Sequence, residues 1–144
     1  MTGKLILLLT TLLFTACRTD TSPDLAPGTL LCENLRNPLG IGSTTPRLSW
    51  INTSGRNGAV QTAFRIIAAS APGLLDKDSG DLWDSGKVIS RESVLVPWTG
   101  SELGSRSMVY WKVRTWDGNG TPSGWSETAR FSVGLLRAED WKAE

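Results

Sequence analysis

The chain has 144 residues, room for one domain with a single sizeable core, and its 40% apolar and 20% charged content is that of an ordinary globular protein. Fifteen basic against fourteen acidic residues give a net charge of +1, which offers a nucleic acid or other polyanion no electrostatic footing. Histidine is absent, which excludes Ser/His and Cys/His nucleophile systems and argues against zinc, whereas tryptophan is abundant at seven residues.

Lys4 and the ten-residue apolar run Leu5 to Phe14 have the form of an export signal. The run is too short to cross a bilayer, which takes about 20 residues. It ends in Phe14-Thr15-Ala16-Cys17. Small residues before a cysteine, directly after an apolar run, resemble the bacterial lipobox, with Phe14 standing where leucine is usual. The resemblance implies that residues 1–16 are cleaved and that Cys17 carries lipid. The chain would then be a membrane-anchored lipoprotein of the bacterial cell envelope, periplasmic or outer-surface. A plain secretory signal and an uncleaved anchor are the alternatives. Residues 17–28, polar and proline-containing, read as a flexible tether. Cys32 is then a lone thiol, buried on the first strand; a Cys17–Cys32 disulfide is the competing pairing.

Beyond the tether the chain consists of short β-rich runs separated by Gly, Pro, Asn and Asp. Thr29 to Glu33 is the first expected strand, and Asn34 to Thr45 is rich in turn residues. Arg47 to Asn52 follows, then Gln61 to Ser70 with Phe64, Ile66 and Ala68 on one face and Arg65 on the other. Gly73 to Asp81 has room for one helical turn. Leu82 to Lys87 reads as an edge strand and Val88 to Trp98 as the next strand, ended by Pro97. Ser107 to Asp117 is the strongest strand signal, placing Trp111, Val113 and Thr115 opposite Lys112, Arg114 and Trp116. Asp117 to Gly120 is a turn, and Trp125 to Val133 closes the sheet. Six or seven short strands at intervals of roughly 8–15 residues, with no room for helical crossovers, predict an all-β, antiparallel two-sheet sandwich over residues 29–134.

Catalytic candidates are few. Without histidine, acid–base hydrolysis would fall to a pair of carboxyl groups facing each other across a cleft. Asp84, Asp117 and Glu127 are available, but Asp84 ends a strand and Asp117 begins a turn, where aspartate is expected for backbone hydrogen bonding. No catalytic residue is assigned. Asp76 to Asp81 departs from the calcium-loop pattern, with Gly80 and Asp81 in the wrong order and no glutamate closing the loop, so no metal or cofactor is expected. Asn52-Thr53-Ser54 matches a glycosylation acceptor but reads as an unmodified turn. The tryptophans carry more. Trp83, Trp98, Trp116 and Trp125 are candidates for stacking on sugar rings, while Trp50 and Trp111 belong to the core. Trp125 can instead lie across Arg114 or Lys112 on the neighbouring strand.

Six segments in order carry a wider resemblance: Leu31 to Trp50, Gln61 to Ser70, Gly80 to Val88, Tyr110 to Asp117, Gly124 to Glu127 and Gly134 to Lys142. Together they resemble the N-terminal module of bacterial α-L-rhamnosidases of glycoside hydrolase family 78. The resemblance implies a fibronectin type III/immunoglobulin-like sandwich. It also implies downstream rhamnosidase domains as partners, in which an (α/α)-barrel performs inverting hydrolysis of terminal α-L-rhamnose. Residues 135–144 would begin the linker to the next domain, with Trp141 docking on it, and the sequence would be a truncated or split reading frame. A non-catalytic accessory module is therefore expected. The alternative is a free-standing carbohydrate-binding or protein-interaction lipoprotein, with a rhamnose-containing glycan as the ligand.

Overall fold

The computed structural model describes residues 22–141, so the export signal and Cys17 lie outside the described residues. Eight strands follow in order: β1 (Ala26–Cys32), β2 (Arg47–Thr53), β3 (Ala63–Ala69), β4 (Trp83–Asp84), β5 (Val88–Ile89), β6 (Val96–Pro97), β7 (Met108–Trp116) and β8 (Ala129–Ser132). One helical turn, α1 (Pro72–Leu75), and a 3-10 turn, Ala138–Asp140, complete the elements. All strand pairings are antiparallel. One sheet runs β1-β2-β6; the other runs β4-β3-β7-β8, with β5 also pairing β3. The expected two-sheet, immunoglobulin-like sandwich is the fold of the chain.

Period-2 alternation builds the core. Leu48 and Trp50 of β2 face Phe64, Ile66 and Ala68 of β3, Val109, Trp111 and Val113 of β7, and Phe131 of β8. Trp50 meets Phe64 edge to face at 5.1 Å. Each such fully buried side chain contributes about 1.5–3 kcal/mol, so the two central strands carry much of the stability. Ile67 and Ala69 point to the opposite face of β3 and are nevertheless buried. Leu75 of α1 covers them, joined by Leu74, Tyr110 and Trp125. Pro72 sits in the first turn of α1, where its fixed φ suits a helix start.

The segment Val88 to Trp98 is not one strand. Val88–Ile89 pairs with β3 and Val96–Pro97 pairs with β2, so the chain changes sheets between them. Buried Gln61 fixes the crossing. Its amide donates to the carbonyls of Ser90 (3.1 Å) and Glu92 (2.8 Å), and its Oε1 accepts from Trp50 Nε1 (3.0 Å) and Asn52 Nδ2 (2.8 Å). The Leu95 N–H donates to Ser49 Oγ, and Leu95 has a positive φ of 54° where the chain turns into β6. The last strand is also shorter than its sequence signal. Ahead of Ala129, the hydroxyls of Ser123 and Ser126 accept the Thr115 and Val113 N–H groups in place of backbone carbonyls.

Both ends of the domain are more tightly held than composition implies. Strand β1 starts three residues before the expected Thr29, taking Ala26 to Gly28 from the tether. Leu25 is buried, and Asp24 grips Arg56 through both carboxylate oxygens. At the other end the Leu136 N–H donates to Ser105 Oγ, while Asp140 accepts from the Ser105 hydroxyl and from the Arg137 N–H. Residues 135–140, expected to begin a linker, are therefore bound to the sandwich. Cys32 is a free thiol sealed in the core, and burial there pushes its pKa up to about 12.

Candidate functional site

The four tryptophans proposed as sugar platforms separate into two pairs. Trp83 and Trp98 are buried between the sheets, with ring centroids 5.0 Å apart, and Trp98 meets Phe131 at 6.0 Å. Trp98 Nε1 donates to the Ser101 carbonyl. Trp98 is closed to a sugar, and Trp83, 9% exposed, shows too little of its ring at the hollow between Asp84 and Pro97 to stack on one, which corrects the expectation for both. The cause is the sheet crossing: it carries Trp98 inside, where a single strand ending at Pro97 leaves it at the margin.

Trp116 and Trp125 are half-buried on the outer face of the five-stranded sheet. Alternation along β7 puts Lys112, Arg114 and Trp116 on this face, and the β3–β7 register sets Arg65 directly opposite Arg114. Trp125, reaching over from the segment before β8, lies beneath three cations. Arg114 Cζ is 4.6 Å from its ring centroid, Lys112 Nζ 4.9 Å and Arg65 Cζ 5.8 Å. Next to it, Lys87 Nζ stands 4.8 Å from the Trp116 ring. Each contact is worth about 0.5–1 kcal/mol where exposed and about 2 where desolvated.

Counter-charges on this face are unevenly shared. Lys112 is buried and donates to the Leu75 carbonyl (2.6 Å) and to Asp78 (2.7 Å), and that hydrogen bond holds Asp78 below the usual carboxylate range. Arg65 forks onto Asp84 at 2.9 and 2.6 Å, lowering the Asp84 pKa in the same way. Arg114 and Lys87 form no ion pair among the described residues. The Arg114 Nε is buried and has no hydrogen-bond partner. Alternation made these side chains legible as outward-facing; the Arg65–Arg114 register was not.

The remaining candidates are structural. Asp84 is committed to Arg65 and to the Gly86 N–H. Asp117 is buried and accepts from the N–H groups of Asn119, Thr121 and Asp24. Burial pushes its pKa up, but these three donors outweigh it and the net shift is downward. Glu127 is exposed beside Thr29, Arg36 and Asn37, along a polar hollow of ≈ 340 Å³. In the acidic loop, Asp81 is taken by the Ser70 N–H and hydroxyl, and Asp78 by Lys112. The Asn52 amide is spent on Gln61. Trp141 is 73% exposed, just past the anchored Asp140 and beside a hollow lined by Ser105, Leu136 and Arg137.

Comparison with known proteins gives one consistent answer. The family model described as "Rha78A-like, N-terminal immunoglobulin domain" matches residues 27–137. An alpha-L-rhamnosidase of Streptomyces avermitilis is 42% identical over 113 residues, covering 78% of this chain and 11% of that protein. One from Alteromonas sp. is 41% identical over 113 residues, covering 77% of this chain and 12% of its own length. The solved Streptomyces avermitilis alpha-L-rhamnosidase complexed with L-rhamnose superposes with a TM-score of 0.78 at 39% identity, over 83% of this chain and 12% of that one. The alpha-L-rhamnosidase structure from Dictyoglumus thermophilum gives 0.78 at 37% identity, over 82% and 13%. The chain thus spans about one-eighth of the proteins it matches.

Proposed function

This chain belongs to the family of Rha78A-like N-terminal immunoglobulin domains, and from that premise we propose that it is the non-catalytic accessory module of an exported α-L-rhamnosidase of glycoside hydrolase family 78 acting on rhamnose-containing glycans. The observation that carries this reading is the match itself, which runs from residue 27 to residue 137 and takes in the tail bound to Ser105. The state of the carboxylates supports it. Asp84 and Asp117 hold the fold, which leaves Glu127 without a partner in acid–base work. A module swap tests the proposal. Residues 27–137 replace the matching segment of the Streptomyces avermitilis enzyme, and hydrolysis of an aryl α-L-rhamnoside is followed. Turnover retained in the chimaera supports the accessory role; a folded chimaera without turnover contradicts it.

In this reading Trp141 is the contact with the following domain. The Ser105–Asp140 and Arg106–Asp140 hydrogen bonds set its direction, so the next domain meets a fixed post. Cys17 is the lipid anchor, holding the module at a membrane of the cell envelope. Its support is the small-small-cysteine ending after the apolar run Leu5 to Phe14. Detergent phase partition of the chain expressed in a bacterial host tests the anchor. The wild type partitions into detergent and Cys17→Ser into water; equal partition of the two removes the proposal.

A further inference from the structure

We propose that Arg114, Lys87 and Trp116 form a subsite for an anionic sugar, a uronate or a sulfate ester, on the outer face of the five-stranded sheet. Arg65 and Arg114 stand directly opposite on adjacent strands, and like charges in that position repel. Asp84 neutralises Arg65, and Asp78 neutralises neighbouring Lys112. Arg114 makes no ion pair and lies against the π-face of Trp125 at 4.6 Å. Asp78, already hydrogen-bonded to Lys112, acts on it only from a distance, and the Arg114 Nε is buried without an acceptor. A half-buried guanidinium with no carboxylate bonded to it, directly opposite a second arginine, is a site short of one anion. The anion would reach it through the terminal nitrogens, because the Nε is sealed from solvent. A planar carboxylate or a sulfate meets that need, because arginine binds both through parallel N–H donors.

The surroundings select a sugar as the carrier of the anion. Trp116 is two residues along β7 on the same face and half-buried, so part of its indole remains open. Lys87 stands 4.8 Å from that ring, is exposed and has no carboxylate, so it can leave the indole to a pyranose ring and pair with the anionic substituent. An aromatic face flanked by cations fits a ring with apolar C–H edges and one negative group. With two unpaired cations and a net charge of +1, the face is too weakly charged to hold a nucleic-acid backbone. The inference stands whether or not the module serves a rhamnosidase, since it uses only this face.

Tryptophan fluorescence titration of the purified chain tests it, with four probes: oligogalacturonate, a carrageenan oligosaccharide, neutral maltohexaose and a short single-stranded DNA. Saturable quenching by one anionic oligosaccharide and not by maltohexaose supports the subsite, and identifies the anion as carboxylate or sulfate. Lys87→Gln loses only the exposed contact with Trp116 and should lower the thermal midpoint by no more than about 4 °C while weakening binding several-fold. Arg114→Gln should weaken it by roughly tenfold, the equivalent of one charged hydrogen bond, with partial rescue in Arg114→Lys. The proposal is overturned if neither anionic sugar quenches at about 10 mM, if maltohexaose or DNA binds as well as they do, or if Lys87→Gln binds like the wild type.

Discussion

Replacing Gln61 by methionine isolates the device that lets the chain change sheets. The side chains are close in volume, so packing is largely conserved and the change removes hydrogen bonds. Four are lost, to Trp50 Nε1, Asn52 Nδ2 and the carbonyls of Ser90 and Glu92. Trp50 is 1% exposed, so its indole N–H cannot find water and costs about 1–3 kcal/mol when orphaned. The other three partners lie nearer the surface and rehydrate, for about 0.5 kcal/mol each. The sum is about 3 kcal/mol, which for a domain of this size lowers the melting temperature by roughly 12 °C. Urea unfolding followed by tryptophan fluorescence measures it, with Glu92→Ala as control because only the backbone carbonyl of Glu92 meets Gln61. A loss below about 1 kcal/mol in Gln61→Met would show that the Gln61 hydrogen bonds do not hold the crossing.

Three further outcomes follow from the same structure. In a Cys17→Ser background, Cys32 should resist a thiol reagent at pH 8 until denaturant is added, because burial raises its pKa to about 12; immediate labelling of the native protein contradicts this. Asp117 has a lowered pKa, so its contribution is complete above its unfolded value of about 4 and is lost as pH falls below it. Melting temperatures between pH 6 and 3 should therefore fall less steeply in Asp117→Asn than in the wild type; parallel profiles would show that Asp117 does not supply the acid sensitivity. A Cβ added at Gly100 would lie 2.5 Å from Trp83 Cβ and 2.7 Å from the Leu82 carbonyl. Gly100→Ala should therefore cost about 1–3 kcal/mol in a thermal melt, while Gly55→Ala, which meets nothing within 4 Å, should be neutral.

Strands β2, β3 and β7 were legible because each is a β-rich run of seven or nine residues in which Arg47, Arg65, Lys112 or Arg114 interrupts the apolar positions and marks a face. The two-residue strands β4, β5 and β6 were not, because their boundaries are set by partners distant in sequence. Ser85 illustrates this: its N–H and hydroxyl bridge Ile66 between β4 and β5, a pairing no local pattern announces. The same blindness misplaced Trp83 and Trp98, which pack on one another because the chain changes sheets between β5 and β6. On the outer face, composition and alternation exposed Lys112, Arg114 and Trp116 as a group. The imbalance that makes the face interesting became visible only with the register, once Asp84 was seen to serve Arg65 and not Arg114. The tail was placed by the family resemblance as the start of a linker; that its first residues are tied to the sandwich, through Asp140 and Leu136 on Ser105, became visible only in the structure.

The proposed accessory role leaves hydrolysis to other domains, and the purified chain incubated with an aryl α-L-rhamnoside at high protein concentration tests it. Aglycone release should be no faster than in buffer, with no change on Asp84→Asn or Glu127→Gln. Release that rises in proportion to the chain, and disappears on substituting either carboxylate, would contradict it.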